Sequence, residues 1–246
     1  MTKQKVALIT GASKGIGEGI VKYLVEKGYF VHATFRLSKA SIYKSFGKNK
    51  NVAIHHLDVG DENEVKKVVD EVKKISGGLQ LLVNNAGVDY EASIEDTTSK
   101  EWIEIFNTRC LGTFLMTKYS IPLFKKNKRS TIINITSSFA HETQPTLSAV
   151  AAAESAKMSF TKTSAVALAK YGIRTHSVNP GVTKTPLWDQ FGVDSKGWAA
   201  MAKSNPLGRN CTPEDVAKII YYLDSEEAAY LNGEEIYTNG GNHLKN

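Results

Sequence analysis

Cysteine is scarce in this chain of 246 residues, which has only Cys110 and Cys211. Two cysteines so far apart in the sequence indicate neither a disulfide framework nor a metal centre, so we predict no bound metal and a reducing setting such as the cytoplasm. Long apolar runs are lacking too, since none approaches the roughly 18 residues that cross a bilayer. The N-terminal residues do not have the pattern of a signal peptide. We therefore expect a protein without a membrane partner.

Acidic residues are fewer than basic ones, 25 against 31, which gives a formal net charge of +6. The densest basic cluster, Lys125, Lys126, Lys128 and Arg129, follows a long helical pattern, and cations are favoured at the negative end of a helix dipole. We interpret this cluster as a solvated helix end and predict no nucleic-acid partner. The basic balance suits a small anionic ligand.

Short apolar runs alternate with amphipathic stretches along the chain, which indicates repeated βα units on a parallel sheet. No repeat or low-complexity linker divides the sequence, so we predict a single α/β domain over 1–246 with a Rossmann-type, doubly wound sheet in three layers. The predicted strands are 6–9, 30–35, 52–57, 79–83, 131–135, 173–178 and 236–238, and the predicted helices are 15–26, 61–75, 100–124, 148–170 and 213–223.

One stretch, 183–209, departs from this alternation and contains Pro186, Trp188, Trp198 and Pro206. A long insertion with aromatic side chains after the carboxyl end of a strand is a natural cover for a ligand crevice. We predict that it forms a substrate lid.

A glycine-rich loop at 10–17 joins the first predicted strand to the first helix. Its glycines let the backbone approach a pyrophosphate, and the helix N-terminus supplies N–H groups and a positive dipole. We predict that the loop binds a dinucleotide, and a purely structural turn is the alternative. The binding residues would be Gly11, Ser13, Lys14, Gly15, Ile16 and Gly17.

The spacing of these glycines resembles the short-chain dehydrogenases/reductases, and further motifs of that family follow in order over nearly the whole chain. Near the end, Asn239 stands where the family usually has an aspartate. The matching motifs are Asp58-Val59, Asn84-Asn85-Ala86-Gly87, Asn134-Ile135-Thr136-Ser137, Asn179-Pro180-Gly181 with Thr185, Gly233, and Asn239-Gly240-Gly241.

This resemblance implies where the cofactor would lie. Asp58 and Val59 would hold the adenine, and Asn85, Ala86 and Gly87 would lie against the adenine ribose. Pro180, Gly181, Thr183 and Thr185 would follow the nicotinamide. The resemblance also implies a homodimer or homotetramer, assembled through the helices at 100–124 and 148–170.

The choice between NAD and NADP depends on the end of the second strand, where NAD-selective sites carry an acidic residue. This chain has Arg36 there, and Lys14 lies in the glycine loop. Two cations suit a 2′-phosphate, because Arg matches phosphate geometry with a planar fork. We predict NADP(H), the alternative being two solvated surface cations.

The family's catalytic serine corresponds to Ser137, with Ser138 beside it. Counting without gaps places Val150 in the slot of the family's catalytic tyrosine and Glu154 in the slot of its lysine. No tyrosine occurs between Tyr119 and Tyr171. The family's asparagine, counted back from Gly112, corresponds to Arg109.

These changes suggest a replacement, because a cation and an anion have entered two helices that the family packs together. We predict a catalytic group of Ser137, Arg109 and Glu154, with the last two as an ion pair, since a paired buried charge is tolerable and a single one is costly. The alternative is that both side chains have drifted and each reaches solvent.

A site without its tyrosine lacks a positioned acid, which typically contributes about 10²- to 10⁴-fold. We therefore predict an NADPH-dependent reductase of small carbonyl metabolites, especially conjugated ones, because the enolate could be stabilised by Ser137 or Arg109 and protonated later by solvent. His141 or Glu142 could supply a substitute proton. The predicted substrate-lining residues are Tyr90, Ser138, His141, Val150 and Trp188.

Two other functions stay open at this point. One is an inactive NADP(H)-binding protein that acts as a sensor or partner subunit. The other is an isomerase or cyclase that uses the same crevice without redox chemistry. The sequence does not name the substrate.

Overall fold

A computed structural model describes residues 4–127, 129–186, 188 and 192–245. Its strands form one parallel sheet in the order β3-β2-β1-β4-β5-β6-β7. This order reverses between β1 and β4, as a doubly wound fold requires, so the predicted fold class is confirmed. The strands are β1 (Val6–Ile9), β2 (Phe30–Phe35), β3 (Val52–His56), β4 (Leu81–Asn84), β5 (Ser130–Ile135), β6 (Ile173–Pro180) and β7 (Glu235–Thr238).

Helices cover both faces of the sheet. Along β1, Ala7 and Ile9 pack into the core beneath α1, α2 and α8, whereas Val6 and Leu8 pack into the core beneath α3 and α5. Side chains of a strand alternate between faces, so this apolar run is buried on both sides. The helices are α1 (Gly15–Glu26), α2 (Lys39–Phe46), α3 (Glu62–Ser76), α4 (Ser99–Phe106), α5 (Gly112–Phe124), α6 (Ser148–Leu168), α7 (Ser195–Ser204) and α8 (Pro213–Leu223).

Where a side chain caps a predicted helix, its observed start lies within one residue of the predicted one, although α7, capped by Asp194, was not predicted. The Thr212 side chain accepts the N–H of Asp215, whose carboxylate in turn accepts the N–H of Thr212, and Pro213 opens α8. This capping box fixes the start of the helix. Asp61 caps α3 rather than belonging to it, which moves the predicted start by one residue.

The predicted helix at 100–124 is not continuous. A π-helical turn, Asn107–Leu111, separates α4 from α5, and Gly112 begins α5 where a Cβ would lie 2.6 Å from Cγ2 of Val59. π turns often occur at functional sites, and this one contains Arg109. Helix α2 was missing from the sequence prediction, since its two buried residues, Ile42 and Phe46, give little periodicity.

Of the segment 183–209, the structure describes all but 187 and 189–191. It contains α7, and the rings of Trp188 and Trp198 meet edge to face with centroids 5.5 Å apart. Of the basic cluster, Lys128 lies outside the described residues. Within the described part of the chain, no helix is both long and apolar enough to cross a membrane.

Candidate active site

A cavity of about 860 Å³ opens where β1, β4, β5 and β6 end at the carboxyl edge of the sheet. This edge at the switch point is where doubly wound folds hold their ligands. Every residue predicted to bind the cofactor lines this cavity: Gly11, Ser13, Lys14, Gly15, Ile16, Gly17, Arg36, Asp58, Val59, Asn85, Ala86, Gly87, Pro180, Gly181, Thr183 and Thr185.

Asn85 anchors the glycine loop. Its Nδ2 donates to the carbonyl oxygens of Thr10 at 2.9 Å and Gly11 at 3.1 Å. A Cβ at Gly17 would lie 2.3 Å from the oxygen of Gly11 and 2.6 Å from Nδ2 of Asn85, so only glycine fits there. Among the described residues no side chain caps the N-terminus of α1 at Lys14, which leaves its first N–H groups available beside the cavity.

Arg36 lies between two carboxylates at one end of the cavity. Its Nη1 is 3.6 Å from Oδ2 of Asp58, and its Nη2 is 3.2 Å from Oε1 of Glu104. The other oxygen of Glu104 accepts the hydroxyl hydrogen of Tyr90 at 2.8 Å. Glu104 was not singled out from the sequence, because its partners lie on a distant strand and loop.

Ser137 follows the end of β5 directly and lines the cavity. Its hydroxyl oxygen accepts the N–H of Phe139 at 3.4 Å, and within the described part of the chain no group accepts its hydrogen, so the hydroxyl can donate to a ligand. Ser138 also lines the cavity and donates to Oε2 of Glu142 at 2.9 Å.

Beneath the cavity, Arg109 and Glu154 form the predicted ion pair. Nη1 of Arg109 is 2.5 Å from Oε1 of Glu154, and the Glu154 side chain is completely buried. Arg109 also donates from Nη2 to Asp89 and from Nε to the oxygen of Val88 at 3.0 Å. The alternative that both side chains reach solvent is therefore wrong.

Lys157 is a further member of this buried cluster that the sequence analysis missed. Its Nζ donates to Oε1 of Glu154 at 2.9 Å and to the oxygen of Ile135, at the end of β5, at 2.8 Å. The spacing of Glu154 and Lys157, three residues apart on a helix, was the available signal. Asp89, Arg109, Glu154 and Lys157 thus form a set of two anions and two cations, which we call the buried charge cluster.

Within the cluster, Glu154 and Arg109 each favour the ionised form of the other. Burial alone would raise the pKa of Glu154, but Lys157 and Arg109 outweigh it and hold that pKa below its ordinary value. Burial likewise works against charge on Arg109, yet Glu154 and Asp89 raise its pKa. Burial lowers the pKa of Lys157, an effect that Arg109 reinforces and Glu154 opposes.

Comparison with known proteins places this architecture in a family. The profile described as Enoyl-(Acyl carrier protein) reductase matches residues 11–243. The chain belongs to the short-chain dehydrogenase/reductase family. It is 34% identical over 244 residues to the NADP-dependent (R)-specific alcohol dehydrogenase of Lentilactobacillus kefiri, covering 97% of this chain and 96% of that protein.

One further sequence relative and two solved structures are similar to this chain over nearly its full length. The 3-oxoacyl-(acyl-carrier-protein) reductase FabG of Thermotoga maritima is 32% identical over 241 residues, covering 96% of this chain and 97% of that one. The solved structure of ElxO with NADP bound has a TM-score of 0.89 and 29% identity, covering 99% of this chain and 100% of that one. A tyrosine-to-phenylalanine variant of ElxO with NADPH bound gives the same values.

Val150 forms an apolar part of the wall in this short-chain dehydrogenase/reductase. It lines the cavity and packs in a cluster with Ile105, Leu147, Ala149 and Ala153. Its side chain offers neither a proton nor a hydrogen bond. Tyr90 and Trp188, which were predicted to contact the substrate, also line the cavity.

Two predicted positions need correction. His141 is not among the residues that line the cavity, because its Nε2 lies 2.9 Å from Oε2 of Glu235 on β7 and its ring lies beside Tyr237. Glu154 does not line the cavity either, since its side chain is completely buried and pairs with Arg109. Glu154 therefore acts on the site only through its neighbours.

Proposed function

We propose that this protein is an NADP(H)-dependent reductase that transfers hydride to small conjugated carbonyl compounds through a noncanonical site. The observation that carries the proposal is the combination of a cavity lined by every predicted cofactor residue, apolar Val150 in the wall of that cavity, and the buried charge cluster around Arg109 and Glu154. The residues that line the cavity support cofactor binding. Val150 and the buried charge cluster support a catalytic chemistry that differs from that of the family.

The residues present fit NADP(H). Gly11 and Gly17 line the cavity, and Gly17 packs too closely against Gly11 and Asn85 for any Cβ, so the loop keeps its backbone at the cavity surface. The uncapped N-terminus of α1 provides N–H donors and a positive dipole for a pyrophosphate. Arg36 and Lys14 lie at the adenine end and suit a 2′-phosphate. The names of the Lentilactobacillus kefiri enzyme and of the ElxO structures, which mention NADP or NADPH, support the same cofactor.

The catalytic pair of the family is replaced here. Val150 stands in the slot of the tyrosine, Glu154 in that of the lysine and Arg109 in that of the asparagine. The contacts of the buried charge cluster suggest a physical reason for the joint change, because Glu154 pairs with both Arg109 and Lys157 and Asp89 pairs with Arg109, so that two anions balance two cations. An isolated charge at any of these buried positions would cost several kcal/mol, about 3–5.

Reduction of a conjugated C=C bond suits such a site. Bound NADPH supplies a hydride at its nicotinamide ring. When the β-carbon of an enone accepts that hydride, the π electrons move to the carbonyl oxygen and an enolate forms, which Ser137 can stabilise by donating its hydroxyl hydrogen. Solvent then delivers a proton to the α-carbon, so no tyrosine is required at Val150, whose apolar side chain suits an olefin.

Arg109 and Glu154 have positioning roles in this proposal. Every nitrogen of the Arg109 guanidinium already donates to Val88, Asp89 or Glu154, so its charge is compensated and it contributes little to an enolate. By binding Asp89 and Val88, Arg109 instead holds the loop that carries the substrate-lining Tyr90.

Three further features belong to the proposal. The segment 183–209 acts as a lid, because Trp188 lines the cavity and packs on Trp198 of α7. A homodimer or homotetramer forms through α4, α5 and α6, on which the large apolar side chains of Ile103, Phe114 and Val166 are exposed. The cytoplasmic setting stays a prediction from the sequence.

The experiment has two stages. NADPH is first titrated into the protein by fluorescence, and NADPH oxidation is then measured with a panel of enones and their saturated ketone counterparts. We expect binding, together with turnover confined to enones. Binding without turnover of either class would favour a sensor or inactive partner subunit, a reading supported by the lack of an acid at Val150. Conversion of a substrate without NADPH consumption would favour an isomerase or cyclase.

A further inference from the structure

We propose that Glu104 determines cofactor specificity by competing with the cofactor's 2′-phosphate for Arg36, and that its release from Arg36 repositions Tyr90 in the substrate cavity. This inference rests on the proposed binding of NADP(H). It assigns a role to a carboxylate outside the residues that line the cavity.

Glu104 joins the two ends of the site directly. Oε1 accepts from Nη2 of Arg36 at 3.2 Å, whereas Oε2 accepts from the Tyr90 hydroxyl at 2.8 Å. Arg36 and Tyr90 line the cavity, and Glu104 lies behind them in the last turn of α4. A single carboxylate therefore connects the side chain that would meet the 2′-phosphate with one that would meet the substrate.

The charge balance around Arg36 makes the contact competitive. Glu104 and Asp58 place two carboxylates on one guanidinium, so the positive charge of Arg36 is already compensated before a ligand enters. A 2′-phosphate takes its strongest hydrogen bonds from the same guanidinium fork, and it would repel a carboxylate that kept its place there. Binding of the phosphate thus requires Glu104 to withdraw, whereas NADH, which lacks that phosphate, imposes no such demand.

The effect on Tyr90 is local. The neighbouring Asp89 is held by Arg109, and Arg109 also holds the carbonyl oxygen of Val88. The backbone before Tyr90 therefore stays anchored when Glu104 withdraws from Arg36. Only the side chain of Tyr90 then changes its position. The hydrogen bond to Glu104 also raises the pKa of Tyr90, which agrees with a phenol that donates to an ionised carboxylate.

The first test measures the dissociation constants of NADPH and NADH in the wild type, in Glu104→Gln and in Glu95→Gln. Glu95 is an exposed carboxylate in the same region, so its variant is a matched control for net charge. We expect Glu104→Gln to tighten NADPH binding roughly 3- to 5-fold, the scale of a partly exposed ion pair, and to leave NADH within about twofold. In an Arg36→Leu background the same substitution should have no effect on the preference.

The second test follows Tyr90 itself by fluorine NMR of protein labelled with 3-fluorotyrosine, with the signal assigned through Tyr90→Phe. Adenosine 2′,5′-bisphosphate should shift the Tyr90 signal and adenosine 5′-monophosphate should not, and the shift should shrink in Glu104→Gln. An unchanged preference for NADPH in Glu104→Gln, or an equal shift with both nucleotides, would overturn this inference alone. If neither NADPH nor NADH bound to the wild type, the proposed function would fail, and the inference with it.

Discussion

Glu154 Oε1 lies 2.5 Å from Nη1 of Arg109 at a place in the fold that solvent does not reach. The same oxygen accepts from Lys157, while Oε2 is buried without a hydrogen-bond partner among the described residues. Two cations thus converge on a single oxygen. Arg109 is in turn held by Asp89, so removal of any member leaves a charge without compensation.

Loss of the Glu154 charge should therefore destabilise the protein strongly. We expect Glu154→Gln to reduce the free energy of unfolding by about 3 kcal/mol, because Arg109 and Lys157 would remain buried with only Asp89 to balance them. Chemical denaturation measures this loss. Adding Lys157→Met to the same chain should recover a substantial part of it, because the cluster becomes neutral again.

Glu214→Gln is the control, since Glu214 pairs with Lys218 at 2.8 Å on the surface. Exposed pairs contribute no more than about 1 kcal/mol, so this variant should stay close to the wild type. A loss below about 1 kcal/mol in Glu154→Gln would mean that the cluster is solvated in solution.

A second titratable cluster predicts acid sensitivity. His32 is buried between His55, 2.9 Å from its Nδ1, and Ser76, 2.8 Å from its Nε2. Burial, reinforced by His55, lowers the pKa of His32 to about 3. Because the unfolded chain binds a proton near pH 6.5 and the folded chain does not, stability is lost as pH falls from about 6.5 towards 3.

We expect this histidine to account for roughly 2–3 kcal/mol of the stability lost between pH 7 and pH 4. The free energy of unfolding is measured across that range in the wild type, in His32→Gln and in His56→Gln, whose imidazole is exposed beside Glu64. The pH dependence should flatten in His32→Gln and persist in His56→Gln. Parallel curves for all three proteins would contradict the prediction.

Local sequence signals were sufficient for much of the fold. Short apolar runs were enough to predict each strand, and the capping box at Thr212 with Pro213 was enough to predict the start of α8. Opposite charges at Arg109 and Glu154, on two helices that the family resemblance predicts to pack together, were enough to predict their contact. The π turn was not predictable, because its residues keep the helical pattern on both sides.

Several other contacts between residues far apart in the sequence could not be predicted either. Lys157 was missed because its contact with the oxygen of Ile135, at the end of β5, forms only when α6 packs against the sheet. Asp89 and Glu104 were missed because a loop and a helix must first be packed before their carboxylates meet Arg109 and Arg36. The direction of His141 was equally hidden, because Glu235 lies 94 positions away.

Ser137 should affect turnover rather than cofactor binding. Its hydroxyl is free to donate beside the proposed nicotinamide position, and removal of such a donor typically costs about 10²- to 10³-fold in kcat. We expect Ser137→Ala to lose activity with the best enone on that scale while its dissociation constant for NADPH stays within about twofold. Ser138→Ala, whose hydroxyl already donates to Glu142, should lose far less. Equal losses in the two variants would assign no special role to Ser137.

In the proposed noncanonical site, a return to the family's catalytic residues needs more than the two substitutions at Val150 and Glu154. Val150→Tyr with Glu154→Lys would leave three buried cations, including Arg109 and Lys157, against Asp89 alone, so we expect this double variant to be less stable than the wild type by several kcal/mol, about 3–5.

Adding Arg109→Asn removes one of those cations and returns the family's polar residue to its slot. We expect this triple variant to recover stability relative to the double variant and to reduce saturated ketones at least about 10²-fold faster than the wild type, because a positioned tyrosine supplies the missing acid. Thermal unfolding and NADPH oxidation with saturated ketones measure the two effects. A triple variant that folds, binds NADPH and still leaves saturated ketones untouched would show that the loss of the tyrosine is not what limits this site.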